Sequence, residues 1–229
     1  MNNLIKITTL ILPILSLLFF SCEPEEVSTG IIDESASIDL ESYDHAIYNG
    51  TEYTMYEVLS DQDLFDAYSN AAGFSVKGRT ITFYDPESNI TATSLIEKVR
   101  TEQSPDNNAV AVVVLYADTY LQGRFFFEEV FYDDPHSNST TRHKRNINSV
   151  MNNQTTSVVM VGQPSAYSKS SIRVKFYDNS NQSRFLFSQE LARSTSPMYY
   201  DDGLSSSNNN KISSLQVEFV NSGSHPDPR

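Results

Sequence analysis

Two stretches far apart in the chain carry the same pattern. "MNNQTTSVVMV" (151–161) and "NNNKISSLQV" (208–217) each contain Asn-Asn, two variable residues, a hydroxyl residue, Ser and then a β-prone run. The paired positions are Asn152-Asn153 and Thr156-Ser157 in the first, Asn209-Asn210 and Ser213-Ser214 in the second. Upstream, "LYADTYLQGRFFF" (115–127) lines up with "KFYDNSNQSRFLF" (175–187), which pairs Tyr116 with Phe176, Gly123 with Ser183, Arg124 with Arg184 and Phe125 with Phe185. Each unit therefore reads aromatic strand, turn, aromatic strand, loop, Asn-Asn motif, strand. One covers about 109–161 and the other about 172–220. Such a repeat implies two similar supersecondary units that bury their apolar faces against each other.

The strand signals inside the repeat are strong. "AVAVVVLY" (109–116) is a continuous apolar run of the kind buried on both faces. "RFFFEEVFY" (124–132), "SIRVKFYD" (171–178), "SRFLFSQEL" (183–191) and "SSLQVEFV" (213–220) are aromatic-rich or alternate, with Asn/Ser/Gly clusters between them. This spacing predicts an all-β sandwich or Greek key over 109–220.

Residues 43–105 carry mixed signals and predict a small α+β region, or an embellishment on the β domain. Asn49-Gly50 in "AIYNGTEY" marks a hairpin. "SDQDLFDAYSNAAG" predicts a helix that starts at a capping-box-like Ser60 and Asp63, packs Leu64, Phe65 and Tyr68 on one face, and stops at Gly73. "RTITFYD" (79–85) predicts a strand, "ATSLIEKVRTEQ" (92–103) a helix or a strand, and "SPDNN" (104–108) a boundary. No catalytic constellation stands out in this region.

The chain has 29 Asp and Glu against 16 Lys and Arg, a formal charge of −13. That balance disfavours nucleic acid and suits divalent cations. The first 22 residues, "MNNLIKITTLILPILSLLFFSC", place Lys6 before an apolar run that is short for a membrane span and reads as a signal h-region. Residues 23–42 are acidic and Ser-rich without periodicity, and predict a tether; 221–229 predict a disordered tail.

The paired hairpins and Asn-Asn motifs resemble the βγ-crystallin family of the calcium-binding microbial type. In that family an aromatic-x4-aromatic-x-Gly hairpin precedes (Asn/Asp)-(Asn/Asp)-x-x-(Ser/Thr)-Ser. "YADTYLQG" (116–123) fits the hairpin with Leu121 in the second aromatic slot, while "FYDNSNQS" (176–183) has Asn181 and Ser183 in place of the aromatic and the Gly. Both Asn-Asn motifs match at every specified position. The resemblance implies two Greek-key units forming one mainly β sandwich with two calcium sites. Backbone oxygens would come from Thr119, Asn179, Asn153 and Asn210, hydroxyls from Thr156 and Ser213, and Asn152 and Asn209 would reach across to the partner site. Ser157 and Ser214 would stabilise the loops. Neutral oxygens suit a hard cation held loosely, as in extracellular modules. The "FFSC" ending separately resembles a bacterial lipobox, which would make Cys22, the only cysteine, the lipidated first residue of the mature protein, on the outer membrane. The acidic "EPEEVSTG" after it resembles a surface-export signal.

Other features predict less. His45, His136, His143 and His225 have no zinc spacing. Glu128-Glu129, Asp133-Asp134 and Asp201-Asp202 are adjacent pairs, which on a strand point to opposite faces and so do not form a glycosidase pair. No Gly-x-Ser-x-Gly elbow occurs. "TRHKRN" (141–146) forms a basic patch in a long predicted loop, 133–148. The leading expectation is a non-enzymatic, calcium-binding, lipid-anchored structural or adhesive protein. The alternative is a glycan- or protein-binding module that uses that loop on the same scaffold without calcium.

Overall fold

The computed structural model describes residues 34–101, 110–131, 141–163, 169–192, 198–201 and 203–221. The expected leader, Cys22, the start of the tether, the 104–108 boundary, His136, His225 and the tail beyond 221 lie outside these residues. The described protein is mainly β and belongs to one compact unit.

In the second half the strands follow the repeat. The first unit supplies β5 (Val110–Asp118), β6 (Gln122–Phe131), β7 (Thr141–Asn146) and β8 (Ser157–Gln163). The second supplies β9 (Lys169–Tyr177), β10 (Phe185–Ala192), β11 (Met198–Asp201) and β12 (Ser214–Asn221). The sheets mix the units: β11-β8-β5-β6 run side by side in one, and β10-β9-β12-β7 form the other. The third strand of each unit thus pairs with the other unit's sheet. Inward residues of both sheets form the shared core, with Val113, Leu115, Phe126, Val158 and Met160 from one and Ile172, Val174, Phe176, Leu215, Val217 and Phe219 from the other. β5 is buried on both faces, as its unbroken apolar run requires, because Val112, Val114 and Tyr116 belong to a second cluster that includes Ala92 and Ile96.

The N-terminal half extends the first sheet. β1 (His45–Tyr48), β2 (Thr51–Thr54), β3 (Gly73–Lys77) and β4 (Thr80–Tyr84) continue it in the order β6-β3-β4-β1-β2, with β3 parallel to β6 and β4 parallel to β1. Four helices accompany these strands: α1 (Glu34–Ser42), α2 (Met55–Ser60), α3 (Gln62–Asn70) and α4 (Ala92–Thr101). The Asn49-Gly50 hairpin forms as expected, both residues taking positive φ.

Three expectations change. The helix expected from Ser60 forms as α3, with Asp61 rather than Ser60 as its cap, and a separate short helix, α2, precedes it. Thr54 and Glu57 form the capping box of α2, and Asp61 caps α3 through the Leu64 amide at 3.1 Å. Gly73 opens β3 rather than ending a helix, because the Phe125 ring occupies the space where a Cβ would sit. The end of the expected tether is α1, whose Asp39 is fully buried.

"TRHKRN" is also not loop but strand β7, paired along its length with β12. Its charges alternate between faces. Arg142 reaches Glu218 at 3.0 Å, while Arg145 meets both oxygens of buried Glu128 at 3.1 Å and spans to the Ser42 and Gly78 carbonyls. Both arginines of the basic patch are paired to buried carboxylates.

Two carboxyls sit where burial opposes their charge. Desolvation pushes Asp39 from 3.8 up to about 6, against hydrogen bonds from Ser149 and Tyr68. Burial pushes Glu128 from 4.5 up to about 7, against Arg145. In the unfolded chain both titrate near their ordinary values, so between about pH 4 and 7 the folded protein binds protons more tightly. Their contribution is fully present below the unfolded pKa and is lost as pH rises through the folded one. Urea midpoints should therefore fall from pH 5 to pH 8, with each carboxyl accounting for on the order of 1–3 kcal/mol. An Asp39→Asn variant should show a flatter profile than the wild type; an identical slope would contradict the assignment.

Candidate functional site

The two Asn-Asn motifs meet at the junction of the units. Asn153 donates its amide to the Ile212 carbonyl at 3.2 Å, and Asn210 donates its amide to the Thr155 carbonyl at 2.9 Å. Each motif is thus paired to the other by its backbone. Asn153 and Asn210 both take positive φ (57° and 54°), which Asn tolerates better than most residues because its short polar side chain suits left-handed turns.

Each motif also clasps the hairpin of its own unit. Thr156 and Ser213 donate their amides to the Tyr116 and Tyr177 carbonyls, each at 2.8 Å. Ser157 Oγ donates to the Asp118 carbonyl at 2.7 Å and accepts from the Leu121 amide at 3.2 Å. Ser214 Oγ donates to the Asn179 carbonyl at 2.6 Å and accepts from the Gln182 amide at 3.2 Å. Both hairpin tips hold two consecutive residues at positive φ, Tyr120-Leu121 and Asn181-Gln182, and the serines fix those turns.

These contacts correct the register of the repeat. The counterpart of Tyr116 is Tyr177 rather than Phe176, that of Ala117 is Asp178, and that of Asp118 is Asn179. The second hairpin has one residue fewer between Tyr177 and Phe185 than the first has between Tyr116 and Phe125. A bulge between Phe185 and Phe187 restores alignment, so that Phe187 faces Phe176 as Phe126 faces Leu115. The shorter turn explains the missing glycine. Gly123 has φ +75° and the Asp118 carboxylate where a Cβ would be, while Ser183 has φ −90°. Thr119 and Asn179, paired by sequence, are therefore not equivalent. Thr119 lies in the exposed 3-10 turn, and the carbonyls that meet the Thr156 and Ser157 hydroxyls are those of Ala117 and Asp118.

Four of the expected residues, Thr156, Asn210, Ser213 and Asn153, gather in two equivalent clusters. In one, Thr156 Oγ1 lies 2.7 Å from the Ala117 carbonyl and 3.3 Å from Asn210 Oδ1. In the other, Ser213 Oγ lies 2.6 Å from the Asp178 carbonyl and 2.8 Å from Asn153 Oδ1. Each hydroxyl has a single proton to offer two acceptors. The second Asn of each motif, not the first, reaches the partner's hydroxyl. Asn152 Oδ1 and Asn209 Oδ1 are buried and have no hydrogen-bond partner. These clusters are rich in oxygen and short of protons, so a cation fits them chemically. Among the described residues no group of three His, Cys, Asp or Glu side chains converges, so the donors on offer are neutral oxygens.

No family model, curated protein or solved structure matches this chain.

The four hydroxyls divide by role. Ser157 and Ser214 each donate and accept one bond, whereas Thr156 and Ser213 crowd acceptors around one proton. Without added metal, Ser157→Ala and Ser214→Ala should each destabilise by about 1–3 kcal/mol, because each strands a carbonyl and an amide. Thr156→Val and Ser213→Ala should cost less, since they also relieve oxygen crowding. Urea unfolding tests the ranking, and the reverse order would show that the clusters are complete hydrogen-bond networks.

Proposed function

We propose that the protein is a calcium-binding structural or adhesive module whose two ions staple two Greek-key units of βγ-crystallin type together, carried at the cell surface by a lipid on Cys22. The observation that carries this reading is the paired oxygen clusters, each with one proton for two acceptors, accompanied by the orphaned Asn152 and Asn209 carbonyls. Calcium takes roughly six to eight oxygens at a flexible distance and accepts neutral carbonyls and hydroxyls. The donors would be Thr156, Asn210 and the Ala117 carbonyl at the first site, and Ser213, Asn153 and the Asp178 carbonyl at the second, with Asn152 and Asn209 in reserve. The strand order supports the fold half of the reading, because each unit lends its third strand to the other's sheet. The overall charge of −13 favours a cation further. Nothing in the paired clusters offers a nucleophile with an adjacent base, so the reading is of a binder rather than a catalyst.

Because each cluster takes oxygens from both units, an ion at either one binds the folded state and not the unfolded chain. A site held at about a hundredfold its Kd adds about 2.7 kcal/mol, or about 5–10 °C in Tm for a unit of this size. Calorimetric titration should give two calcium ions per chain, and calcium should raise Tm by that order. A Thr156→Ala, Ser213→Ala double variant should lose both effects. A wild-type chain that takes up no calcium, or a double variant that binds as well as wild type, would overturn the proposal.

A further inference from the structure

The two clusters are alike, but their surroundings differ. The turn that leads into Asn152-Asn153 is held from the N-terminal side by α1 and the residues that follow it. Asp39 Oδ1 accepts the Ser149 amide at 2.9 Å, and its Oδ2 accepts the Ser149 hydroxyl at 2.5 Å and the Tyr68 hydroxyl at 3.0 Å. Asn148 donates to the same Tyr68 oxygen at 3.2 Å, and the Asn148 carbonyl accepts the Met151 and Asn152 amides. One residue past α1, Tyr43 donates its hydroxyl to the Asn146 carbonyl at 2.9 Å, and Arg145 donates to the Ser42 carbonyl at 3.2 Å. Residues 39–43 therefore grip 145–149 at three points.

That gripped segment faces the Ser213 cluster on its other side. The Ile147 amide donates to the Ser213 carbonyl at 2.9 Å. Asn146 accepts the Asn181 amide at 2.8 Å and donates back to Asn181 Oδ1 at 3.3 Å, which holds the tip of the second hairpin. Asn153, at the end of the turn, meets Ser213. The equivalent turn of the second unit, 205–210, repeats the internal bonds, with the Asn209 amide on the Ser205 carbonyl. There, however, Ser205, Ser206 and Ser207 are exposed, and among the described residues no acid grips them.

We propose that α1 is a strap for one site only: docked through Asp39 on Ser149, it positions the Ser213 cluster, and occupancy of that cluster in turn favours docking of α1. The inference rests on the calcium reading above. Linkage makes the coupling reciprocal, so a strap that tightens the site is itself tightened by the ion. Asp39, Ser149 and Tyr43 are positioning residues, since none belongs to either cluster.

The experiment isolates each site. A Thr156→Ala chain retains the Ser213 site, and a Ser213→Ala chain retains the Thr156 site; calcium affinity is measured by calorimetry in both, with and without Asp39→Ala. Asp39→Ala should weaken the Ser213 site about fivefold or more and leave the Thr156 site within about twofold. In the otherwise wild-type chain, calcium should slow hydrogen exchange of the amides of residues 36–43. Ser149→Ala and Tyr43→Phe, each removing one contact, serve if Asp39→Ala does not fold, and should show the same one-sided loss to a smaller degree. Equal weakening of both sites, no weakening of the Ser213 site, or unchanged exchange would overturn the strap while leaving the calcium reading intact. A wild-type chain that takes up no calcium would instead remove the reading beneath it.

Discussion

The fold turns on one exchange. Each Asn-Asn turn gives its amide to a carbonyl of the other motif, Asn153 to Ile212 and Asn210 to Thr155, so neither turn is complete without its counterpart. The sheets make the same exchange on a larger scale, since β7 and β11 each pair with a strand of the other unit. Between them lies a core that neither unit could close alone. The oxygen clusters fall at this junction because the crossing turns bring a hydroxyl of one unit against an Asn carbonyl of the other.

Much of this was legible in the chain. The two Asn-Asn motifs marked the junction because left-handed Asn turns and hydroxyl braces leave a fixed spacing, and the aromatic runs marked β5, β6, β9, β10 and β12 because sheet interiors demand alternation or continuous apolarity. What the sequence hides has a physical cause in each case. "TRHKRN" reads as loop by composition, yet each of its arginines meets a buried carboxylate, Glu218 or Glu128, that no local rule links to it. The four-residue β11, "MYYD", is too short to show a period. α1 looked like tether because its acidic composition hides one carboxylate whose partners, Tyr68 and Ser149, lie far along the chain. The sequence hides the hairpin register, because Arg124-Phe125 and Arg184-Phe185 match directly, whereas the carbonyls that receive the motif hydroxyls align Ala117 with Asp178.

The N-terminal half changes what the repeat alone would make. By adding β3, β4, β1 and β2 to β6, it converts one edge of the first sheet into an interior and leaves the second sheet at four strands. Its aromatic residues Tyr43, Tyr68, Phe74 and Phe83 enlarge the same core rather than forming a separate one. Arg145 ties the two halves: its side chain meets Glu128 of the first sheet, reaches the Ser42 and Gly78 carbonyls, and lies over the Tyr43 ring at 5.6 Å.

The bulge at Leu186 bears on how such a pair of units can diverge. A residue lost from a hairpin tip would ordinarily turn the whole following strand inside out, exposing its apolar side chains. Here the strand absorbs the difference within three positions, and from Phe187 onward its residues face their partners as in the sister copy. A repeated architecture with this slack accommodates tips of different length while the interior stays in step, whereas the crossing turns keep the same spacing in both copies.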